Sequence, residues 1–384
     1  MVLAEIRIGR IARKSATTAF RNLKGGLWPW AGRLSVLCIF LILGFYSVVG
    51  GWSFAYLWRS LTGEIMTQDT QVLGTMFSSF ISDPAQAIAF TGLFLAVTVA
   101  IVLGGIEKGI ERCSKILMPT LFILMLIIIA RVLTLPHAID GLLYFITPDF
   151  SKVSGEMLIE ALGLAVFSLS IGCGTMIAYG SYVAPETRLL GATLWIALLA
   201  TLACILAGLM VLPAVFAFGI DPQAGPGLTF ITMPAVFSQM PAGQFFAVSF
   251  FLLLIFAALT SSVSILEPLT SFLIDEYDYT RKKATITIAI AGFALSIPAA
   301  LSFGPLEHFL IFGKNPFDLM DYLASNVMMP AGGLLAALFV GWTIWPRIRQ
   351  EFGNQIHAWQ LTAFRLICAF IAPVLIGVVW IHNL

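Results

Sequence analysis

Apolar residues run along this chain in blocks of twenty or more, the length a helix needs to cross the hydrocarbon core of a bilayer. Nine such blocks are complete, near 34–60, 85–104, 115–135, 156–183, 189–219, 243–274, 284–303, 317–346 and 360–382, and residues 1–9 look like a tenth cut in half. Several exceed the minimum length, which predicts tilted, kinked or protruding helices.

Composition agrees with that pattern. Of 384 residues 59% are hydrophobic and 11% charged, with a mean hydropathy of +0.96, whereas a water-soluble domain carries about 25% charged residues. The expected solvent is lipid. Basic and acidic residues nearly cancel, at 21 and 20, and no Lys/Arg stripe runs along a polar face, so nucleic acid is not an expected partner. Five cysteines lie in apolar stretches without CxxC spacing, which indicates neither a disulfide framework nor a metal knuckle. The opening MVLAEIRIGRIARK places apolar residues before basic ones, the reverse of a signal peptide.

Basic residues collect on the cytoplasmic side of membrane proteins. With segment 7–33 inside, only Arg59, Arg131, Lys152 and Lys314 of the 21 basic residues fall outside. That bias predicts a multi-pass protein of the cell's inner (plasma) membrane with an external C-terminus. No loop is long enough to form a soluble domain. An enzyme would therefore need a catalytic constellation at membrane depth, but His137, His308, His357 and His382 all sit at span ends or in loops. The chain is not expected to be an enzyme.

Most spans are uniform Leu/Ile/Phe/Ala text, and the informative ones are interrupted. Phe167-Ser168-Leu169-Ser170-Ile171-Gly172-Cys173-Gly174 puts two serines and two glycines near mid-depth. Either these small residues let two helices approach closely, or the helix unwinds there and its freed backbone lines a polar cavity. Thr260, Ser264 and Glu267 follow at i, i+4 and i+7 and share one helical face. Their hard oxygens suit a cation such as Na+, although Ser and Thr also bond back to their own helix carbonyls. Glu267 within a span calls for a partner or a cavity. Tyr46, deep in FYSVVGGW, needs a partner for its hydroxyl. The apolar connection 220–242 is odd for a solvated loop. It reads either as a hairpin dipping back onto the bundle as a lid or as an ordinary packed loop.

The blocks MVLAEIRIGR, FYSVVGGW, FSLSIGCGTMIAYGSYV, LAGLMVLPAVFAFG, GPGLTFITMPAVFSQMP, FAALTSSVSILEPLTSFLIDE and FDLMDY occur in the order and spacing of the bacterial neurotransmitter:sodium symporters. The chain resembles that family through nearly its whole length. The resemblance implies an all-α, leucine-transporter-like bundle of inverted repeats forming a single transporter domain. Residues 1–33 would hold a helix end and a cytoplasmic loop, 34–135 the rest of the first repeat, 156–346 the second repeat, and 360–382 an extra helix. It implies an amino acid or related amine carried with Na+ and no organic cofactor, and it is compatible with a homodimer.

Residue by residue, the resemblance gives Tyr46 the substrate carboxylate and places Ile42 in the side-chain pocket. Phe167 closes over the substrate, Ser168 is a hydroxyl ligand of one sodium, and Ser170 lines the pocket. Ala257 (through its carbonyl), Thr260 and Ser261 match half of the other sodium site, with Ser261 and Ile265 beside the substrate. Asp321 matches the acid of the outer gate, while Tyr182, Glu267 and Asp275 fall at the inner gate.

Two substitutions depart from the pattern: Ala200 stands where relatives place an Asp or Asn near one sodium, and Cys173 replaces a frequent pocket aromatic. MVLAEIRIGR matches the cytoplasmic end of the family's second helix, so the first helix and most of the second are expected in front of Met1. With only half of the ion ligands the printed chain should transport weakly, because a dehydrated ion left uncompensated is costly. The alternative is a non-transporting membrane partner, sensor or pseudogene remnant on the same scaffold.

Overall fold

The computed structural model describes residues 1–218, 227–353 and 357–383, and among them it is helical throughout apart from one isolated bridge. In chain order the helices are α1 Val2–Ala12, α2 Ala16–Leu23, α3 Pro29–Thr62, α4 Thr70–Ser82, α5 Pro84–Leu103, α6 Arg112–Val132 and α7 Ala138–Ile146. Then come α8 Gly155–Ser168, α9 Thr175–Tyr182, α10 Leu189–Ala217, α11 Met233–Ser238, α12 Gly243–Tyr277 and α13 Arg281–Ala300. The last are α14 Pro316–Asp321, α15 Met329–Leu338, α16 Trp345–Phe352, α17 Ala358–Leu366 and α18 Ala372–Asn383. Wider π-type turns join α14 to α15 through Tyr322–Met328 and α17 to α18 through Ile367–Ile371.

Eight stretches among the described residues are long and apolar enough to cross a membrane: 29–62, 84–103, 106–132, 189–217, 243–277, 281–303, 316–343 and 358–382. A ninth, 155–182, is split into α8 and α9. One boundary differs from the expectation. The third of these spans begins at Ile106 rather than near 115, because Gly105 (φ 80°) breaks the chain and a π-type turn, Ile106–Glu111, feeds directly into α6. The charges at Glu107, Lys108 and Glu111 hid a helix that they favour.

Helix starts follow local chemistry. Asp69 and Asp83 accept from the second and third backbone amides of α4 and α5, and Ser154, Thr280 and Asn315 cap α8, α13 and α14 in the same way. Pro84 and Pro316 occupy first-turn positions, where their missing N–H costs nothing.

The long helices α3 and α12 cross at the centre, flanked by α5 and α13, around one large apolar core. Within it Trp52 and Tyr56 meet Phe77, Phe230 and Phe251 ring against ring. Phe230 belongs to the 220–242 connection. Of that connection, 219–226 lie outside the described residues. The rest turns through Leu228–Thr232 into α11 with Phe230 and Met233–Phe237 buried, so this part does fold back onto the bundle.

A second core joins α1, α2 and α9 to the stretch 336–352. There α1 and α9 cross in near contact: a Cβ on Gly9 would lie 1.9 Å from the Ile177 carbonyl oxygen, and one on Gly180 2.2 Å from that of Ile6. Helix α10 lies at the margin, with Leu194, Trp195 and Leu198 exposed, as a lipid-facing helix requires.

Candidate functional site

The chain between α8 and α9 is unwound where the small residues predicted a break. Ser170, Gly172 and Gly174 take positive φ values of 51°, 93° and 77°, so the helical ladder ends at Leu169, whose N–H still reaches the Ala165 carbonyl, and resumes only in α9. Backbone released at membrane depth must bond elsewhere, and two side chains meet that need. The Gly172 N–H donates to Glu5 Oε1 at 2.7 Å, and the Ser35 hydroxyl donates to the Gly172 carbonyl at 2.9 Å. Glu5 is 1% exposed. Gly172 also lies against α15, where a Cβ would come within 2.0 Å of the Met329 carbonyl oxygen. Only glycine satisfies that approach and that φ together.

Tyr46 on α3 lies near Ser261 on α12. Tyr46 and Ala257 share a cavity of about 530 Å³ bounded by Trp52, Ser53, Thr229, Phe230 and Asp318. The cavity is mostly apolar with a few placed oxygens, as a small-molecule site generally is. Ile42 is buried and Ile265 partly buried in the same core. The Thr260 hydroxyl donates to the Phe256 and Ala257 carbonyls at 3.1 and 2.9 Å, the back-bonding anticipated as the plain reading. It leaves the lone pairs of the Thr260 hydroxyl as acceptors, whereas the Ala257 carbonyl already accepts from that hydroxyl and from the helix ladder.

The other predicted residues are dispersed. Phe167, 48% exposed, lines a separate cavity with Ser325 and Asn326, and Ser168 ends α8 exposed. Cys173 is buried, with its thiol 3.1 Å from the Ser170 carbonyl and 3.2 Å from the Thr175 hydroxyl. Asp321 accepts from the Ser325 hydroxyl at 2.7 Å. Ala200, on α10, offers only a methyl group.

At the basic end of the bundle the predicted inner-gate residues form closed contacts. Tyr182 donates to Glu267 Oε1 at 2.8 Å, and Arg281 reaches both oxygens of that fully buried carboxylate while its Nε donates to the Val102 carbonyl. One helical turn deeper, Tyr179 donates to Ser264 at 3.0 Å. Asp275 is held from the α1–α2 connection, by Lys14 at 2.9 Å and the Ser15 N–H at 2.6 Å. That hydrogen bond, reinforced by charge attraction, raises the Lys14 pKa above its ordinary value. Arg21 grips Glu276 with two bonds, and Arg13 donates to the Ser181 and Val183 carbonyls at the end of α9.

Two residues with evident roles escaped the sequence reading. Glu5 stood in plain view as an acid within an apolar run, which is a functional signal at membrane depth. Arg281 is, in the sequence, one more basic residue between two spans, and its role appears once α13 is folded beside α12.

Comparison with known proteins agrees with this geometry. Residues 69–384 match the model of the Sodium:neurotransmitter symporter family. The chain is 37% identical over 341 residues to an uncharacterized sodium-dependent transporter, YhdH, of Bacillus subtilis, covering 88% of this chain and 76% of that one. It is 36% identical to an uncharacterized sodium-dependent transporter of Haemophilus influenzae, covering 100% and 87%. The crystal structure of MhsT in complex with L-phenylalanine superposes with a TM-score of 0.91 at 39% identity, covering 100% of this chain and 88% of that one. A multi-pass helix bundle of the leucine-transporter type, broken at 169–174 and carrying this sequence, belongs to the sodium:neurotransmitter symporter family.

Proposed function

We propose that the chain is a Na+-coupled symporter of a neutral amino acid or closely related amine, working by alternating access. The observation that carries this reading is the unwound backbone between α8 and α9, braced by Glu5 and Ser35, together with the cavity that Tyr46 and Ala257 line where α3 meets α12. Tyr46 would hold the substrate carboxylate, with Ser170, Cys173 and Ser261 beside it. Ile42, Ile265 and Phe167 offer only apolar surface to the side chain, which favours an uncharged one.

Na+ is cargo, taken by the Ala257 carbonyl and the Thr260 and Ser261 hydroxyls, and at a second position by Ser168. Each is a hard oxygen suited to it. Coupling arises because ion and substrate both bind one conformation better than the other. Asp321 with Phe167 would close the outer side, and Tyr182, Glu267 and Asp275 the inner. By the distribution of basic residues the α1–α2 connection would face the cytoplasm and the C-terminus the outside.

One observation favours a second reading, a non-transporting partner or sensor on the same scaffold: the methyl side chain of Ala200 cannot ligate an ion. Uptake of labelled phenylalanine into membrane vesicles, with external Na+ replaced by K+, separates the two. Symport predicts accumulation in Na+ that disappears in K+. Uptake indifferent to the cation, or none in either salt with protein folded in the membrane, contradicts it.

A further inference from the structure

The connection between α13 and α14 carries a feature that the transport reading does not use. The spans 281–303 and 316–343 are separated by the twelve residues 304–315, which form a small hairpin. Ile311 and Lys314 exchange backbone hydrogen bonds of 2.9 and 3.1 Å, and the two residues between them, Phe312 and Gly313, have φ values of 53° and 75°. A two-residue turn with both φ positive ordinarily carries Asn-Gly or Asp-Gly, and a bulky side chain there is strained. Here it is Phe312, 93% exposed, the most exposed large apolar side chain among the described residues.

Phe309, Leu310 and Ile311 precede it at 55%, 57% and 39% exposure, so four consecutive apolar side chains cover the tip. Glu307 and His308, both exposed, stand at the base of the hairpin, and the Lys314 ammonium lies 4.6 Å above the Tyr322 ring. The stem is fixed, because Gly304 packs so closely on α4 that a Cβ would lie 2.3 Å from the Ser82 carbonyl oxygen.

We propose that the 309–312 tip is a membrane anchor, with its four apolar side chains seated among lipid at the headgroup–acyl boundary of the leaflet where α13 ends. An arm of six residues reaches at most about 20 Å at roughly 3.3 Å per residue, so a headgroup layer some 5–8 Å thick beside the end of α13 lies well within the reach of the tip. Apolar and aromatic side chains flanked by a snorkelling cation are what that layer takes up. Solvent is a poor partner for such a run, and the reciprocal bonds that hold Phe312 in its strained turn keep it pointing away from the protein. The anchor would fix the entrance to α14, next to Asp318 and Asp321.

The test uses cysteine labelling with an environment-sensitive fluorophore at Phe312→Cys, in a chain whose accessible Cys113 and Cys204 are replaced by Ser while Cys38, Cys173 and Cys368 stay buried, reconstituted into phosphatidylcholine liposomes. The label should lose at least half its emission to lipids carrying a nitroxide high on the acyl chain and resist aqueous iodide. A label at Glu307→Cys should behave oppositely, and one at Leu310→Cys repeats the first result without touching the turn. Iodide quenching at 312 and 310 equal to that at 307, with nitroxide lipids ineffective, would overturn the proposal. So would labels shielded from both quenchers that transfer energy between copies of the chain.

Discussion

The Glu5 carboxylate and the Gly172 N–H lie 167 positions apart in sequence and 2.7 Å apart in space. Replacing Glu5 by Ala would leave that buried amide without a partner, a loss of about 1–3 kcal/mol, whereas Gln keeps an acceptor in the same place. Thermal unfolding in detergent should therefore rank Glu5→Gln near the parent and Glu5→Ala well below it, and equal losses would mean the bond carries nothing. A second expectation at this scale concerns Tyr46→Phe, which keeps the ring packed against Phe94 and removes only the hydroxyl. Hydrogen bonds to charged groups contribute about 1.5–3 kcal/mol, so substrate affinity should fall roughly ten-fold or more with unfolding temperature unchanged. An unaltered affinity would place the carboxylate elsewhere. Tyr46 was legible in the sequence because a phenol deep in an apolar helix is conspicuous. Glu5 was not, because its partner is a backbone amide on a distant helix that no side-chain pattern marks.

The broken helix sets the element scale. Two glycines and two serines near mid-depth left close packing and unwinding both open, and the structure uses both. Gly172 does both, unwinding the chain at a φ of 93° and packing against α15, while outside that stretch Gly180 lets α9 cross α1. Sequence could not decide, since the same residue types serve either purpose and only the neighbouring carbonyls choose. Gly172→Ala should cost about 3 kcal/mol or more, from a strained φ and from overpacking against Met329, and should abolish substrate binding where Gly180→Ala merely destabilises. Full binding by a folded Gly172→Ala protein would show that the break is incidental.

The inner closure joins α2, α9, α12 and α13 through Glu267, Asp275 and Glu276. Asp275→Asn combined with Glu267→Gln should expose a cysteine placed at Ser264 to a water-soluble reagent from the cytoplasmic side, and unchanged labelling would exclude this latch as the barrier. Its Lys14 bond is insensitive to physiological pH. A raised folded-state pKa means that the stabilisation is complete below the unfolded value of about 10.5 and fades only as pH climbs through the folded one.

At the scale of the whole molecule, the number of spans and their approximate limits could be read from hydropathy, because lipid imposes a length on every helix that crosses it. Convergence could not be read in this way. That Tyr46 and Ala257 meet at one cavity follows from α3 and α12 crossing at the centre, and that Phe167 lines another follows from where α8 ends. The central claim is thermodynamic: ion and substrate share a conformation, so each must tighten the other by the same factor. The direct measurement is a binding isotherm for phenylalanine on the purified protein across a Na+ series at constant ionic strength with K+, paired with a Na+ titration at fixed phenylalanine. The account predicts a dissociation constant that falls as Na+ rises and an equal, reciprocal gain in Na+ affinity. Phenylalanine binding that is the same in Na+ and K+ would contradict it.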